Sequence, residues 1–176
     1  MTASVIRGIN HVGITVPDIE AAKSFLVKAF GGQVIYQSFG PQDPPRQGPE
    51  FERAVNAFPG TVVRAQAMIK IGTGPDIELF EMQGPEQAQP IRASDFGITH
   101  FGVYTDDIDA SVKRFEDAGG TSFTAPRAIP YATEKGPGNK VCYGRMPWGT
   151  TMEFITTPDR MAYRDQTPLR RWQDED

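Results

Sequence analysis

The chain holds only two histidines, His11 and His100, and they occupy the same place in two similar stretches of sequence. Each is followed, much later, by a glutamate set between apolar residues: Glu78 between Ile77 and Leu79, and Glu153 between Met152 and Phe154. A single histidine on a strand, or a single carboxylate on an alternating strand, is ordinary. Two of each at matching places point to a shared task. Two neutral imidazoles and two carboxylates offset the charge of one divalent cation and, in an octahedral site, leave two adjacent positions for water or substrate. Such a site suits Lewis acid chemistry. Nitrogen and oxygen donors without thiolate fit Ni, Zn, Mn, Co or Fe, and do not choose among them. Glu81 lies three positions beyond Glu78, so alternation turns it to the opposite face, where solvent is the expected neighbour.

The elements that must position these residues come from a repeat at an offset of 89 residues. Ile9, His11, Gly13, Asp18, Ile19, Ala21, Ala29 and Gly31 recur as Ile98, His100, Gly102, Asp107, Ile108, Ala110, Ala118 and Gly120. Each copy reads as a strand, an Asp that caps a helix, apolar residues at helical spacing, and a Gly that ends it. The first helix is expected from Ile19 to Phe30, burying Ala22, Phe25, Leu26 and Ala29, and the second buries Ile108, Val112, Phe115 and Ala118. Both should pack on a sheet. Strands are expected at 33–37, 61–71 and 76–82, then at 121–124, 140–146 and 150–156. The fold class is therefore α+β, with two βαβββ modules at 1–83 and 97–157. A Pro- and Gly-containing loop insertion at 38–60, with a short helix from Glu50 to Phe58, interrupts the first. The stretch 84–96 is linker-like, and 158–176 is a polar tail.

Strand alternation adds Phe80, Met82 and Tyr104 to the faces carrying the candidate ligands, which describes a mainly apolar pocket. Arg145, on the strand before Glu153, could meet a carboxylate or phosphate. Cys142 reads as a buried small residue, since neither histidine is free to activate it. As the only cysteine it permits no intrachain disulfide, in keeping with a cytoplasmic protein. With a net charge of −4 and basic residues scattered apart from Arg170–Arg171, nucleic acid is not an expected partner. No apolar run nears the roughly 20 residues of a membrane span. The Gly136–Gly138 stretch could serve as a lid, and Arg170–Trp172 could fold over the pocket or a dimer partner.

From about Ile6 to Thr157 the chain resembles the vicinal oxygen chelate superfamily of glyoxalases, bleomycin resistance proteins and dioxygenases. The resemblance rests on the His-x-Gly of each first strand, the Asp-Ile-x-Ala helix starts, and the glutamates of Ile-Glu-Leu-Phe and Met-Glu-Phe-Ile. It implies paired modules forming a curved mixed sheet around one divalent metal, and a homodimer in which two chains can complete a site. His11, Glu78, His100 and Glu153 are similar to the glyoxalase I ligand set. That likeness implies a lyase, isomerase or epimerase in which a carboxylate removes a proton beside vicinal oxygens and the metal stabilises an enediolate. By the same analogy Glu153 is ligand and base, and Glu78 a second acid or base. The glutathione-dependent enzymes hold their cofactor with an Arg and an Asn at places where this chain has Thr15 and Met82, so a small oxygenated substrate without glutathione is expected. An Fe(II) extradiol-type dioxygenase and a metal-free drug- or metabolite-binding protein are the alternatives within the same resemblance.

Overall fold

The computed structural model describes residues 6–172. The first half contains β1 (His11–Val16), α1 (Ile19–Phe30), β2 (Gln33–Phe39), β3 (Arg46–Gln47), α2 (Pro49–Val55), β4 (Val62–Lys70) and β5 (Asp76–Gln83). The second contains β6 (Phe101–Tyr104), α3 (Ile108–Asp117), β7 (Thr121–Ser122), β8 (Arg127–Ala128), β9 (Lys140–Arg145), β10 (Thr151–Thr156) and a 3-10 turn at Ala162–Asp165. One five-stranded sheet runs β1-β5-β4-β2 with β3 also on β4. The other runs β6-β10-β9-β7 with β8 also on β9. The fold is thus α+β, with a βαβββ plan in each half. The chain parts into two compact units between Ala88 and Gln89, with Lys28–Phe30 grouped with the second.

In each sheet the first strand lies parallel to the last, β1 on β5 and β6 on β10, while the other pairings are antiparallel. A parallel neighbour cannot be reached by a tight hairpin, so the helix and the intervening strands must make the crossover. This pairing brings the start of each module against its end. Val12 is opposite Ile77 and Gly13 opposite Glu78 in the first sheet, and Gly102 is opposite Glu153 in the second.

Asp18 and Asp107 cap their helices as the repeat predicts, each accepting a 2.9 Å hydrogen bond from the backbone N–H three residues on. Gly31 ends α1 in the left-handed region at φ 69°. Ala22, Phe25, Leu26 and Ala29 are buried, as are Ile108, Val112 and Phe115. Ala118 departs from expectation: it is the C-cap of α3 and only half-buried, because the helix ends one residue earlier and Gly119 takes the turn at φ 107°. Phe115 meets Phe154 edge-on at 5.3 Å. A Cβ at Gly144 would fall 2.9 Å from the Phe115 ring, so glycine there lets α3 approach the sheet.

Several boundaries moved. The strand expected at 121–124 is only Thr121–Ser122, and the short helix of the insertion is Pro49–Val55. Two segments outside the expected strands each contribute a two-residue strand. Arg46 and Gln47 pair with β4, and Arg127 and Ala128 with β9. Pro and Gly disfavour long strands, but a loop passing alongside a strand with open hydrogen-bonding groups can pair over two residues. Glu81 does face away from Glu78, yet not into solvent. Its Oε2 accepts the backbone N–H of Ile19 at 3.0 Å, placing a carboxylate at the positive end of α1. Among the described residues no helix is long and apolar enough to cross a membrane. The calls on residues 1–5 and 173–176, at the outer ends of the first module and the tail, lie outside the described residues.

Candidate metal centre in two half-sites

His11 opens β1, and the parallel register sets it beside the β5 residues that lead to Glu78. Its Nε2 stands 3.1 Å from Glu78 Oε2. The other ring nitrogen, Nδ1, is 2.8 Å from Asn10 Oδ1. The free oxygen of Glu78, Oε1, accepts a 2.8 Å hydrogen bond from Gln66 Nε2 on the neighbouring strand β4. In the second unit His100 lies just before β6, with Nε2 3.5 Å from Glu153 Oε2 and Nδ1 3.0 Å from Thr99 Oγ1. Glu153 Oε1 accepts 2.8 Å from the Tyr143 hydroxyl on β9, directly across the ladder. Tyr143 also meets the His100 ring edge-on at 5.2 Å. Burial, then the bond to Glu153, push the Tyr143 phenol well above its ordinary range, so it remains a donor.

This arrangement fits a cation. An amide oxygen can only accept, so Asn10 assigns the proton of neutral His11 to Nδ1 and leaves the Nε2 lone pair facing a carboxylate oxygen. Two lone pairs at 3.1 Å repel unless a positive charge, a proton or a metal ion, sits between them. Two donors bound about 2.1 Å from one ion stand ~3.0 Å apart at a right angle and ~3.4 Å apart at a tetrahedral angle. The observed 3.1 Å falls within that range and 3.5 Å lies just beyond it. Anchoring the second imidazole nitrogen and the second carboxylate oxygen is what an outer shell does for metal ligands. Glycine stands at the second position after each histidine, and at Gly102 it leaves space beside the glutamate. A Cβ at Gly102 would lie 3.5 Å from Glu153 Oε2, the oxygen that faces His100. Each unit thus brings one histidine to one glutamate. Among the described residues no group of three or more His, Cys, Asp or Glu side chains is gathered to hold a metal.

A family model for the Glyoxalase/Bleomycin resistance protein/Dioxygenase superfamily matches residues 10–143. The chain belongs to this superfamily. It is 29% identical over 181 residues to a 2-epi-5-epi-valiolone epimerase from Actinomyces sp., covering 99% of this chain and 94% of that protein. Among solved structures it resembles a glyoxalase family protein from Bacillus cereus, with a TM-score of 0.65, 19% identity, and 89% of this chain and 97% of that one covered. It also resembles glyoxalase I from Zea mays, with a TM-score of 0.55, 18% identity, and 84% of this chain and 43% of that one covered. Superfamily and relative together support an enzyme of isomerase or epimerase type.

On this superfamily scaffold the remaining expected pocket residues divide between the two sheets. Thr15 is two positions beyond Gly13 on β1, opposite Phe80, and its hydroxyl is 3.9 Å from Met82 Sδ. Thr15, Phe80 and Met82 therefore share the Glu78 face. Tyr104 and Arg145 share the Glu153 face, Tyr104 opposite Ile155 and Arg145 opposite Thr151. The Arg145 guanidinium reaches the Ile91 carbonyl at 3.5 Å rather than standing free. Cys142 is buried on the opposite face, with Sγ 3.1 Å from the Thr124 carbonyl, and burial raises its thiol pKa. Sequence reasoning missed the four anchors Asn10, Gln66, Thr99 and Tyr143. Three left a trace: a polar residue, Asn10 or Thr99, precedes each histidine, and Gln66 is the one amide in the largely apolar run of β4.

Proposed function

We propose that this protein is a divalent-metal-dependent epimerase that inverts a carbon beside the ketone of a small cyclic polyhydroxy compound. The observation that carries the reading is the pair of mirrored half-sites, each with a histidine nitrogen facing a glutamate oxygen whose partner oxygen is anchored by a neighbouring strand. The full-length relative named for 2-epi-5-epi-valiolone supplies the substrate class. His11, Glu78, His100 and Glu153 would hold the metal. We take the half-sites to be joined between two copies of the chain, as a homodimer of this superfamily allows. The metal, when bound, polarises the ketone oxygen and stabilises negative charge there.

The chain's own residues then move the proton. Glu153 takes the proton from the carbon beside the ketone, and the C–H electron pair passes through the new C=C bond to the oxygen, giving an enediolate. Glu78, in its protonated form, returns a proton to the opposite face, so the configuration inverts. Exchange with solvent resets both carboxyls. Tyr143 and Gln66 hold the remaining glutamate oxygens, so each carboxyl swings little. Thr15, Phe80, Met82, Tyr104 and Arg145 line the approach to the two half-sites and exclude water. No glutathione is required. A second glutamate, anchored by a hydrogen bond as the first is, favours this reading over the iron dioxygenase, whose triad of two histidines and one glutamate leaves it unused.

Incubation of metal-loaded protein with 2-epi-5-epi-valiolone in deuterated water tests the reading. Deuterium should enter at one carbon, together with the epimeric product, and both should disappear when chelator strips the metal. Full exchange by the stripped protein, or none by protein loaded with each of Ni, Mn, Co, Fe(II) and Zn, would sink it.

A further inference from the structure

As far as Trp172, the C-terminal tail does not leave the second unit but returns to it. Asn139 is fully buried and fastens the loop before β9 to the chain after β10: its Nδ2 donates to the carbonyls of Glu134 and Asp159, and its Oδ1 accepts from Asp159 N at 2.9 Å. The 3-10 turn that follows is tied to the same loop, Tyr163 N donating to the Thr133 carbonyl at 3.0 Å. Tyr163 in turn catches the tail, its hydroxyl accepting from Arg171 N at 3.0 Å, while the Arg171 guanidinium pairs with Glu134 at 2.8 Å. This clasp delivers Trp172 onto Tyr104, edge to face, with ring centroids 6.4 Å apart.

Tyr104 is no random landing place. It stands two residues beyond Gly102, which is opposite Glu153, so it shares the sheet face on which His100 meets Glu153. Together with Tyr143, which holds Glu153, it packs against Ile129, Val141 and Ile155. Trp172 nevertheless remains 53% exposed. A large aromatic held by successive polar ties, yet half uncovered, stands against Tyr104, on the sheet face that carries Glu153. Aromatic faces carry negative charge and attract the weakly positive C–H edges of a saturated ring.

We propose that Trp172 and Tyr104 form a stacking wall for the C–H face of a cyclic polyol substrate, making them specificity-determining residues held in place by the Arg171–Glu134 clasp. This rests on the epimerase reading for the identity of the ligand. The wall selects for ring shape, whereas the half-sites act on the ketone and its neighbouring carbon.

The test uses the full-length, metal-loaded protein, with Trp172→Ala, Trp172→Phe and Glu134→Gln. Titration with 2-epi-5-epi-valiolone should change the tryptophan fluorescence of the wild type, and that change should vanish in Trp172→Phe although Trp148 remains. Trp172→Ala should raise KM about five- to tenfold with kcat within about twofold, Trp172→Phe should recover most of the loss, and Glu134→Gln should give a smaller rise in KM. An unchanged KM in Trp172→Ala, or the same fluorescence change in wild type and Trp172→Phe, overturns the wall. Absence of turnover by the wild type overturns the epimerase reading instead, and the fluorescence titration then decides the wall alone: a change that depends on Trp172 supports it, and no change in the wild type ends it.

Discussion

The two half-sites share a plan and differ in their anchors. In both, a histidine at the head of the first strand meets a glutamate on the last, because the repeat builds the same parallel pairing twice. The residues behind them are unrelated. Glu78 is held by an amide, from a position diagonal to it on β4, and His11 by an amide oxygen that can only accept. Glu153 is held by a phenol directly across the ladder, and His100 by a hydroxyl that can donate or accept. The facing of a histidine nitrogen and a glutamate oxygen is thus common to both copies, while the groups that hold each carboxylate differ. That is the pattern expected if the two glutamates hold one ion together but do different work on the substrate.

The largest expected effect tests that division of labour. Glu153→Gln should lower epimerisation and substrate deuterium exchange by about 10³-fold or more, since it removes the proposed base along with a ligand charge. Glu78→Gln should abolish epimerisation yet leave measurable exchange with retention, because abstraction by Glu153 remains. Nuclear magnetic resonance of the substrate in deuterated water distinguishes the two. Equal loss of exchange in both variants would erase the distinction drawn here.

Next in size is the space beside the carboxylates. Valine at 102 would carry its side chain against Glu153 Oε2, whereas at Gly13 an added Cβ meets only the Phe80 ring, at 4.0 Å. Neither glycine has a positive φ, so strain is not the issue. Gly102→Val should therefore lower metal affinity and turnover by about 100-fold, with Gly13→Val milder, and thermal unfolding should move little in either. Metal titration followed by calorimetry reads this directly.

These glycines also show what the sequence could reveal. Their repetition with His, Asp and Ile exposed the modules, because strand, cap and helix each leave a local mark. The four candidate ligands were legible for the same reason, being rare residue types recurring at one offset. The anchors were not. Tyr143 and Gln66 reach their glutamates through antiparallel pairing, which depends on register, and β4 carries a shift between Val63 and Ala65 that no periodicity announces. Two-residue strands such as β3 and β8 are likewise too short to carry a period. Ala118 fell outside the core because its helix stopped one residue early, a difference set by Gly119 rather than by the apolar spacing.

The anchors themselves give a smaller, informative contrast. Tyr143→Phe and Gln66→Leu should each weaken metal binding by about 10- to 100-fold, measured by competition with a chelator. Their effects on stability should differ. Gln66 is buried and its Oε1 has no hydrogen-bond partner, a state that costs on the order of 1–3 kcal/mol. Leucine removes that orphan, so Gln66→Leu should hold or raise the urea midpoint, whereas Tyr143→Phe should leave it unchanged or slightly lower. A clear drop in stability for Gln66→Leu would mean that the amide does more than hold Glu78.

The smallest effects concern how firmly each helix start is set. Asp18 and Asp107 make the same cap, and removing such a cap costs about 1 kcal/mol. Their surroundings are not the same. α1 has a second carboxylate at its N-terminus, Glu81 of β5, which accepts from Ile19 N and stays in place when Asp18 is gone. Among the described residues no sheet carboxylate plays that part at α3. Thr105 Oγ1 instead accepts from Asp107 N and lies 2.6 Å from Ser111 Oγ, organising the turn around the very residue removed. Asp107→Ala should therefore lower unfolding free energy by about 1 kcal/mol and Asp18→Ala by about half of that, both read from urea denaturation at pH 7. The double variant Asp18→Ala with Glu81→Ala, which removes both acceptors, should restore the full penalty in the first module. If the two single variants instead cost the same, Glu81 gives α1 no reserve, and the helix starts of the two modules are as alike in energy as they are in sequence.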